Sequence, residues 1–283
     1  GSNYIWFAND RSGAASATAS AITSSSNAKP LSIKFAGGQD GYSESTAPLS
    51  VLASGYDLFA SADAVDISLV LQGKPAPSTA TYQLANYIIQ NIAEVRKDCV
   101  AFITPDDSVV KSASAGTEAA AVINWFASVA DSNYAVFDSG YKYMYDRYND
   151  VYRYVPTNGD TAGLCARTDQ TNDSWWSPAG FNRGGIKNVV KLAWNPTKAQ
   201  RDDLYKANIN PVVSFKGEGT VLYGDKTMQR KPSAFDRINV RRLFIVLEKT
   251  ITKAAKYSLF EFNDEFTRAQ FVALVEPFLR DVK

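Results

Sequence analysis

Three short apolar runs constrain the fold more than any other feature: "VDISLVL" (65–71), "CVAFI" (99–103) and "YAVF" (134–137). Each is rich in β-branched or aromatic residues and too short for a buried helix, and the first two run into Gly73 and Pro105. The segments between them carry helical spacing. Leu84, Ile88, Ile92 and Val95 fall on one face of a helix predicted from Ser78 to Arg96. Val122, Trp125, Phe126 and Val129 keep i, i+3, i+4, i+7 spacing behind Thr117, the predicted cap. A further helix is expected over 48–60. Apolar strands alternating with helices predict a mainly parallel or mixed sheet flanked by helices, an α/β fold over 47–155.

The pattern changes at "YKYMYDRYNDVYRYVP" (141–156), with six tyrosines in its first 14 residues. Alternation at Tyr141, Tyr143 and Tyr145, and again at Tyr152 and Tyr154, predicts a β-hairpin turning near "DRYND". Beyond a boundary placed near residue 155, the remainder (156–283) reads as α+β. A helix is expected over about 158–168, then short strands around 186–193. Thr197 and Gln200 form a capping box for the next helix. "PVVSF" and "TVLYG" are strands divided by "KGEG", and a last helix lies near 265–281. In the first 46 residues, "YIWFA" (4–8) and "LSIKFAGG" (31–38) read as strands around a flexible Ser/Ala/Thr-rich surface segment, 11–29.

Composition narrows the function. The net charge is +1, so no global basic field draws the chain to nucleic acid. There is no histidine, which removes Ser-His-Asp and Cys-His machinery and the commonest zinc sites. Cys99 and Cys165 are too few for a disulfide framework and are expected to stay reduced. No apolar run approaches the roughly 20 residues that span a bilayer, so no membrane insertion is expected. Gly1-Ser2 resembles a cleavage scar, and the natural chain is expected to begin earlier.

Without histidine, acid-base chemistry falls to carboxylates. Asp106-Asp107 follow a strand, and Asp146 and Asp150 flank the hairpin turn, but an Asp at either place is more often a turn former or helix cap. "GDKT" (224–227) echoes a phosphate loop, yet Asp225 stands where a glycine is required, and "AGGQDG" (36–41) lacks the G-x-x-G helix of a dinucleotide fold. No catalytic residue, metal or cofactor is assigned. Trp175 and Trp176 could form a ligand platform, with cover for a domain or subunit seam preferred. The tyrosines could stack on bases or sugars. Their acidic neighbours favour instead a hairpin buried on one face or against a neighbour, with Tyr143 and Tyr152 as contacts.

The stretch "SAFDRINVRRLFIVLEKTI" poses a sharper question. Ser233 and Asp236 form an S-x-x-D capping signature, and Arg237, Arg241 and Arg242 then crowd a helix start that is already positive. On a helical wheel, Val240, Leu243, Phe244, Leu247 and Ile251 make one apolar stripe. Arg237, Arg241 and Glu248 line its edge, and Arg242 points to the opposite side. Arg237 and Arg241 are expected to pair with carboxylates at a packed boundary. Arg242 is expected to be free for a partner protein.

The ordered blocks "VPTNGDTAGLCARTD", "SWWSPAG", "ANINPVVSF", "GTVLYGDKT", "RINVRRLFIVLEKTI" and "LFEFNDEF" resemble the conserved region of contractile tail sheath proteins. "YKYMYDRYND" is similar to the T-even-like branch of myoviruses. The resemblance implies a structural, non-enzymatic virion subunit, assembled in the host cytoplasm. It would polymerise helically around a tail tube and contract to drive the tube through the host envelope. The implied partners are other sheath subunits, the tail tube protein, and baseplate and tail terminator proteins. Against that family pattern the chain is expected to lack an N-terminal region and a C-terminal arm, and so to be monomeric by itself. A carbohydrate- or nucleic-acid-binding module, or a histidine-free hydrolase, is the alternative.

Overall fold

The computed structural model describes residues 47–74 and 81–282. The expectations for residues 1–46 and for the helix start at Ser78 lie outside them. The described residues belong to one compact unit.

Helix α1 (Leu49–Asp57) starts behind Pro48, whose extended backbone (φ −65°, ψ 147°) is set by its ring. The Tyr56 hydroxyl donates to the Leu71 carbonyl at 2.7 Å, tying α1 to the end of strand β1 (Leu69–Leu71). The next helix, α2, is composite: Thr81–Tyr87 is α-helical, Ile88–Ala93 is π-helical and Glu94–Arg96 returns to α. The wider π turn advances the buried face by fours, so Leu84, Ile88, Ile92 and Arg96 face inward. Val95, expected on that face, is exposed. Lys97, at φ +59°, ends the helix. The buried Arg96 guanidinium donates to Asp98 and to the carbonyls of Phe59, Ser61 and Val65, pinning the 59–65 loop.

Strands β1, β2 (Val100–Ile103) and β3 (Ala135–Phe137) form a parallel sheet in that order. All four β2 residues are buried, which means both faces of the central strand are covered, as their uniformly apolar sequence requires. Full burial of a side chain such as Phe102, Ile103 or Phe137 contributes about 2 kcal/mol. Helices α3 (Asp107–Lys111) and α4 (Glu118–Ala127) lie between β2 and β3. Asp106 caps α3 by accepting from the Ser108 N–H at 2.7 Å. Thr117 precedes α4 without a side-chain cap, its hydroxyl donating instead to the Ser114 carbonyl.

Strands β4 (Tyr141–Asp146) and β5 (Val151–Pro156) form the tyrosine hairpin, with Tyr143 opposite Tyr154 and Tyr145 opposite Tyr152. Helix α5 (Asn158–Thr171) follows directly. Strands β6 (Gly185–Ile186) and β7 (Lys191–Leu192) come next, β7 pairing with β4. Helix α6 (Lys198–Lys206) carries the Thr197–Gln200 capping box. Strands β8 (Val212–Phe215) and β9 (Gly219–Leu222) make an antiparallel hairpin that β6 joins. The outer edge of β3 is closed by Asn210, whose side chain donates to the Phe137 and Lys226 carbonyls, and by Met228, whose N–H donates to Ala135.

Two helices finish the described chain, α7 (Ile238–Ala255) and α8 (Glu265–Asp281), packed on each other. The architecture is mixed α/β, with small sheets flanked by helices. The main core runs past residue 155 without a break: Cys165, Leu204, Met228, Ile238 and Ile245 pack into the same cluster as the strand residues.

Candidate functional site

In an α/β sheet ligands gather beyond the carboxyl ends of the strands, and here that edge is occupied by the chain itself. Gln72 follows β1, Thr104 follows β2 and Asp138 follows β3; all three are buried. The Gln72 side-chain oxygen accepts from the Thr104 N–H at 3.1 Å. The Thr104 hydroxyl donates to the Asp138 carboxylate and accepts from the Asn158 N–H at 3.0 Å. The Thr157 hydroxyl lies 2.5 Å from Asp138 Oδ1, and Asn158 Nδ2 donates to the Gly73 carbonyl at 2.7 Å. The first turn of α5 therefore fills the crevice. Its orphan N–H groups and positive dipole end suit a carboxylate there. Burial pushes the Asp138 carboxyl up to about 7, against the opposing pull of hydrogen bonds from Thr157, Thr104 and Gly140. Beside it, Lys142 on β4 donates to Asp160 on α5 at 2.8 Å.

The carboxylates singled out from sequence have structural duties. Asp106 is the α3 cap, raised by burial, with its second oxygen buried and unpartnered. Burial alone would raise Asp107 too, but Lys111 at 2.7 Å and Lys74 at 3.8 Å outweigh it and hold the carboxyl below its ordinary value. Asp146 accepts from the Tyr148 N–H and the Asn149 amide in the hairpin turn, and Asp150 accepts from the Tyr145 hydroxyl at 2.6 Å. In "GDKT", Lys226 donates to the Tyr205 carbonyl and to Asn208, with its ammonium over the Tyr205 ring. Among the described residues no cluster of carboxylates or cysteines is arranged to hold a metal ion.

The arginine helix corrects four expectations. Ser233 caps only a short 3-10 turn, Ala234–Asp236, and α7 begins later, at Ile238. The face of α7 turned to the core is Ile238, Arg241, Arg242 and Ile245, at i, i+3, i+4, i+7. The stripe of Val240, Leu243, Leu247 and Ile251 is only half-buried, and Phe244 is exposed. The wheel failed because two arginines sit where apolar residues were expected.

Arg242 is consequently 6% exposed rather than free, and donates to Asp169 on α5. Arg241, 4% exposed, makes no ion pair with a carboxylate among the described residues. It lies between the rings of Tyr134 and Phe235, 4.3 and 3.9 Å from their centroids, and donates to the Tyr134 hydroxyl at 3.1 Å. Burial lowers its pKa. Arg237 does pair with a carboxylate: it donates to Asp225 and to the Tyr205 hydroxyl, both at 2.6 Å. Glu248 is exposed and makes no ion pair with either neighbour on its side of the helix.

The aromatic candidates lie near or on the surface. Tyr143 is half-buried and stacks on the exposed Tyr152, 5.5 Å between centroids. Trp175 is half-buried, and the exposed Trp176 carries the Arg183 guanidinium over its ring. Sequence reasoning missed the Gln72–Thr104–Asp138 cluster. The signal available was that each of the three residues lies just past an apolar run.

A family model for the phage tail sheath protein central domain matches residues 67–228, more than half of the chain. The tail sheath protein of Vibrio phage KVP40 is 46% identical over 244 residues, 81% of this chain and 36% of the relative. The tail sheath protein of Enterobacteria phage T4 is 42% identical over 261 residues, 89% of this chain and 39% of the relative. The chain thus spans between a third and two-fifths of the length of these relatives. A cryo-EM structure of the anti-feeding prophage helical sheath in its contracted state has a similar fold. Its TM-score is 0.61 at 22% identity, covering 82% of this chain and 58% of that one. A sheath complex of the PVC extracellular contractile injection system, also contracted, gives a TM-score of 0.59 at 18% identity, covering 77% of this chain and 55% of that one. The chain belongs to the phage tail sheath protein family.

Proposed function

We infer that this chain is a working part of a contractile tail sheath subunit. Copies of the subunit polymerise helically around a tail tube, meet a baseplate at one end and a terminator at the other, and contract to drive the tube through the host envelope. The part is structural, not catalytic, and belongs to a virion assembled in the host cytoplasm. The chain's relatives carry the sheath name, and solved assemblies of similar fold are helical sheaths.

One observation carries the reading. The crevice where an α/β enzyme would bind substrate is closed by the first turn of α5, while large apolar side chains stand on the outside. At the α7–α8 end, Tyr257, Leu259, Phe260, Phe262 and Phe266 are all exposed. A chain that plugs its crevice and keeps apolar contact surface outside is built to touch other proteins. Of the candidate contacts, Tyr152, Trp176 and Glu248 remain at the surface for this purpose. Arg237, Arg241 and Arg242 act within the subunit, holding α7 in place.

The test is a chimera in which this chain replaces the matching 261 residues of the T4 relative. Assembly of sheath tubes seen by negative-stain microscopy is expected. A soluble, folded chimera that forms no tubes would overturn the reading.

A further inference from the structure

Two surfaces at opposite ends of α7 are complementary in charge and alike in aromatic character. Near its N-terminus an open cleft of about 460 Å³ is lined in part by Lys198, Arg201, Tyr205 and Tyr223. Phe181, Phe215 and Tyr223 form a mutually packed aromatic cluster, with centroids 5.2 to 5.9 Å apart. The Arg201 guanidinium lies over Phe215 and Tyr223, and it has no carboxylate partner among the described residues. Asp202 and Asp225 also line the cleft, but Asp225 is neutralised by Arg237, so the cationic groups prevail.

Beyond the other end of α7 runs "FEFNDEF" (260–266). Phe260, Phe262 and Phe266 are largely or wholly exposed, and so are Glu261 and Glu265, neither of which has a partner among the described residues. The segment is acidic and aromatic; the cleft is basic and aromatic. The 18 residues of α7 keep them about 27 Å apart along the helix axis. They cannot meet within one copy.

We propose that the 260–266 segment of one subunit docks in the Arg201–Phe215–Tyr223 cleft of a second copy. Phenylalanine rings extend the aromatic cluster, and Glu261 or Glu265 reaches Arg201 and Lys198. Aromatic side chains with arginine are the usual anchors of an interface. The contact joins two different patches, so it is heterologous and repeats into an open helix rather than closing as a dimer. The assignment rests on the sheath reading and names the surfaces that such a lattice would use.

The test is sedimentation velocity on the 283-residue chain at high concentration and low ionic strength. Concentration-dependent association is expected for the wild type. It should be weakened by about tenfold or more in Arg201→Glu and in the double variant Glu261→Lys/Glu265→Lys. An equimolar mixture of the two variants should recover it, because one retains a reversed cleft that matches the other's reversed segment. Far-UV circular dichroism should be unchanged, and both variants should remain folded at the temperature of the measurement, with melting lowered only by the loss of the Arg201 ring contacts and by lysine in the first turn of α8. A wild type that stays monomeric, or a mixture that does not recover, overturns the proposal. The tube-forming chimera decides the sheath reading separately. If it assembles while carrying Arg201→Glu as readily as without it, only the docking assignment falls.

Discussion

Arg242 on α7 donates from one guanidinium nitrogen to both carboxylate oxygens of Asp169 on α5, 73 residues away, at 2.6 Å to Oδ1. The two sides of this pair are unequally buried, the arginine side chain at 6% exposure and the aspartate at 34%. Asp169 can rehydrate when its partner is removed; Arg242 cannot. Asp169→Ala should therefore cost about 3 kcal/mol, the penalty of a stranded buried charge. Arg242→Met, which keeps the packing of the stem, should cost about 1 kcal/mol. Urea denaturation of both variants checks the asymmetry, and equal losses would contradict it.

Asp138 should make the fold less stable as pH rises. Its folded-state carboxyl is raised to about 7, so between the unfolded value near 4 and 7 the native chain holds a proton that the unfolded chain has released. Stability is complete below about pH 4 and declines through pH 7, by up to about 4 kcal/mol from this group. Asp138→Asn should remove most of that decline. A residual slope should remain from Asp106 and Asp160, both also raised by burial. Urea midpoints at pH 4.5 and 7.5 for both proteins provide the measurement. A wild-type midpoint that rises over this interval would reverse the sign.

The strands were legible because burial on both faces leaves a residue no polar option: Val100 to Ile103 could hardly be anything else. The capping box at Thr197 was legible for a local reason, since both partners lie within one turn. What was missed depends on distance or on a change of period. Val95 was assigned inward on a 3.6-residue count, but the π turn at Ile88–Ala93 moves Arg96 there instead. The inward face of α7 was missed because Arg241 and Arg242 find partners at Tyr134 and Asp169, on elements far away in sequence. Asp138 was not singled out at all, because nothing local reveals that α5 will close over it.

Arg241 should behave unlike Arg242. It is buried between two rings, with its Nε unpartnered and, among the described residues, no carboxylate in contact; Glu248 and Glu94 favour its charge only from a distance, and burial still prevails. Cation-π contact recovers about 2 kcal/mol at a desolvated site, less than the penalty of burying an unpaired charge. Arg241→Met should consequently match or exceed the wild type in thermal stability. Arg241→Lys, which keeps the charge but loses the planar stack, should melt several degrees lower. A methionine variant less stable than the lysine variant would refute this account.

The two thiols should be inert until the chain unfolds. Cys99 and Cys165 are unpaired and fully buried. Burial pushes the first up to about 12 and the second up to about 11, so the reactive thiolate is scarce at neutral pH. Mass spectrometry after a brief iodoacetamide pulse at pH 8 should show no label on the native chain and two labels in urea. Native labelling at the unfolded rate would count against the burial described here.

Two glycines of α1 and the β6 region should respond in opposite directions to alanine. Gly184 accepts from the Leu222 N–H at 2.8 Å and donates to the Gly180 carbonyl at 2.7 Å. A Cβ there would stand 2.7 Å from Gly180 N and O and 2.9 Å from Leu222 O. Those are backbone atoms held by their own hydrogen bonds, so none can swing aside, and Gly184→Ala should cost about 2 to 3 kcal/mol. Gly55 lies inside α1, exposed, with nothing within 4 Å of the position a Cβ would take. There alanine only reduces the freedom of the unfolded chain and favours the helix, so Gly55→Ala should gain about 0.5 to 1 kcal/mol. Thermal melts of the two single variants and of the double variant test both signs. The sites share no contact, so the double variant should fall at the sum of the two changes. A stabilised Gly184→Ala would mean that the 180–184 backbone is free to move away from β9.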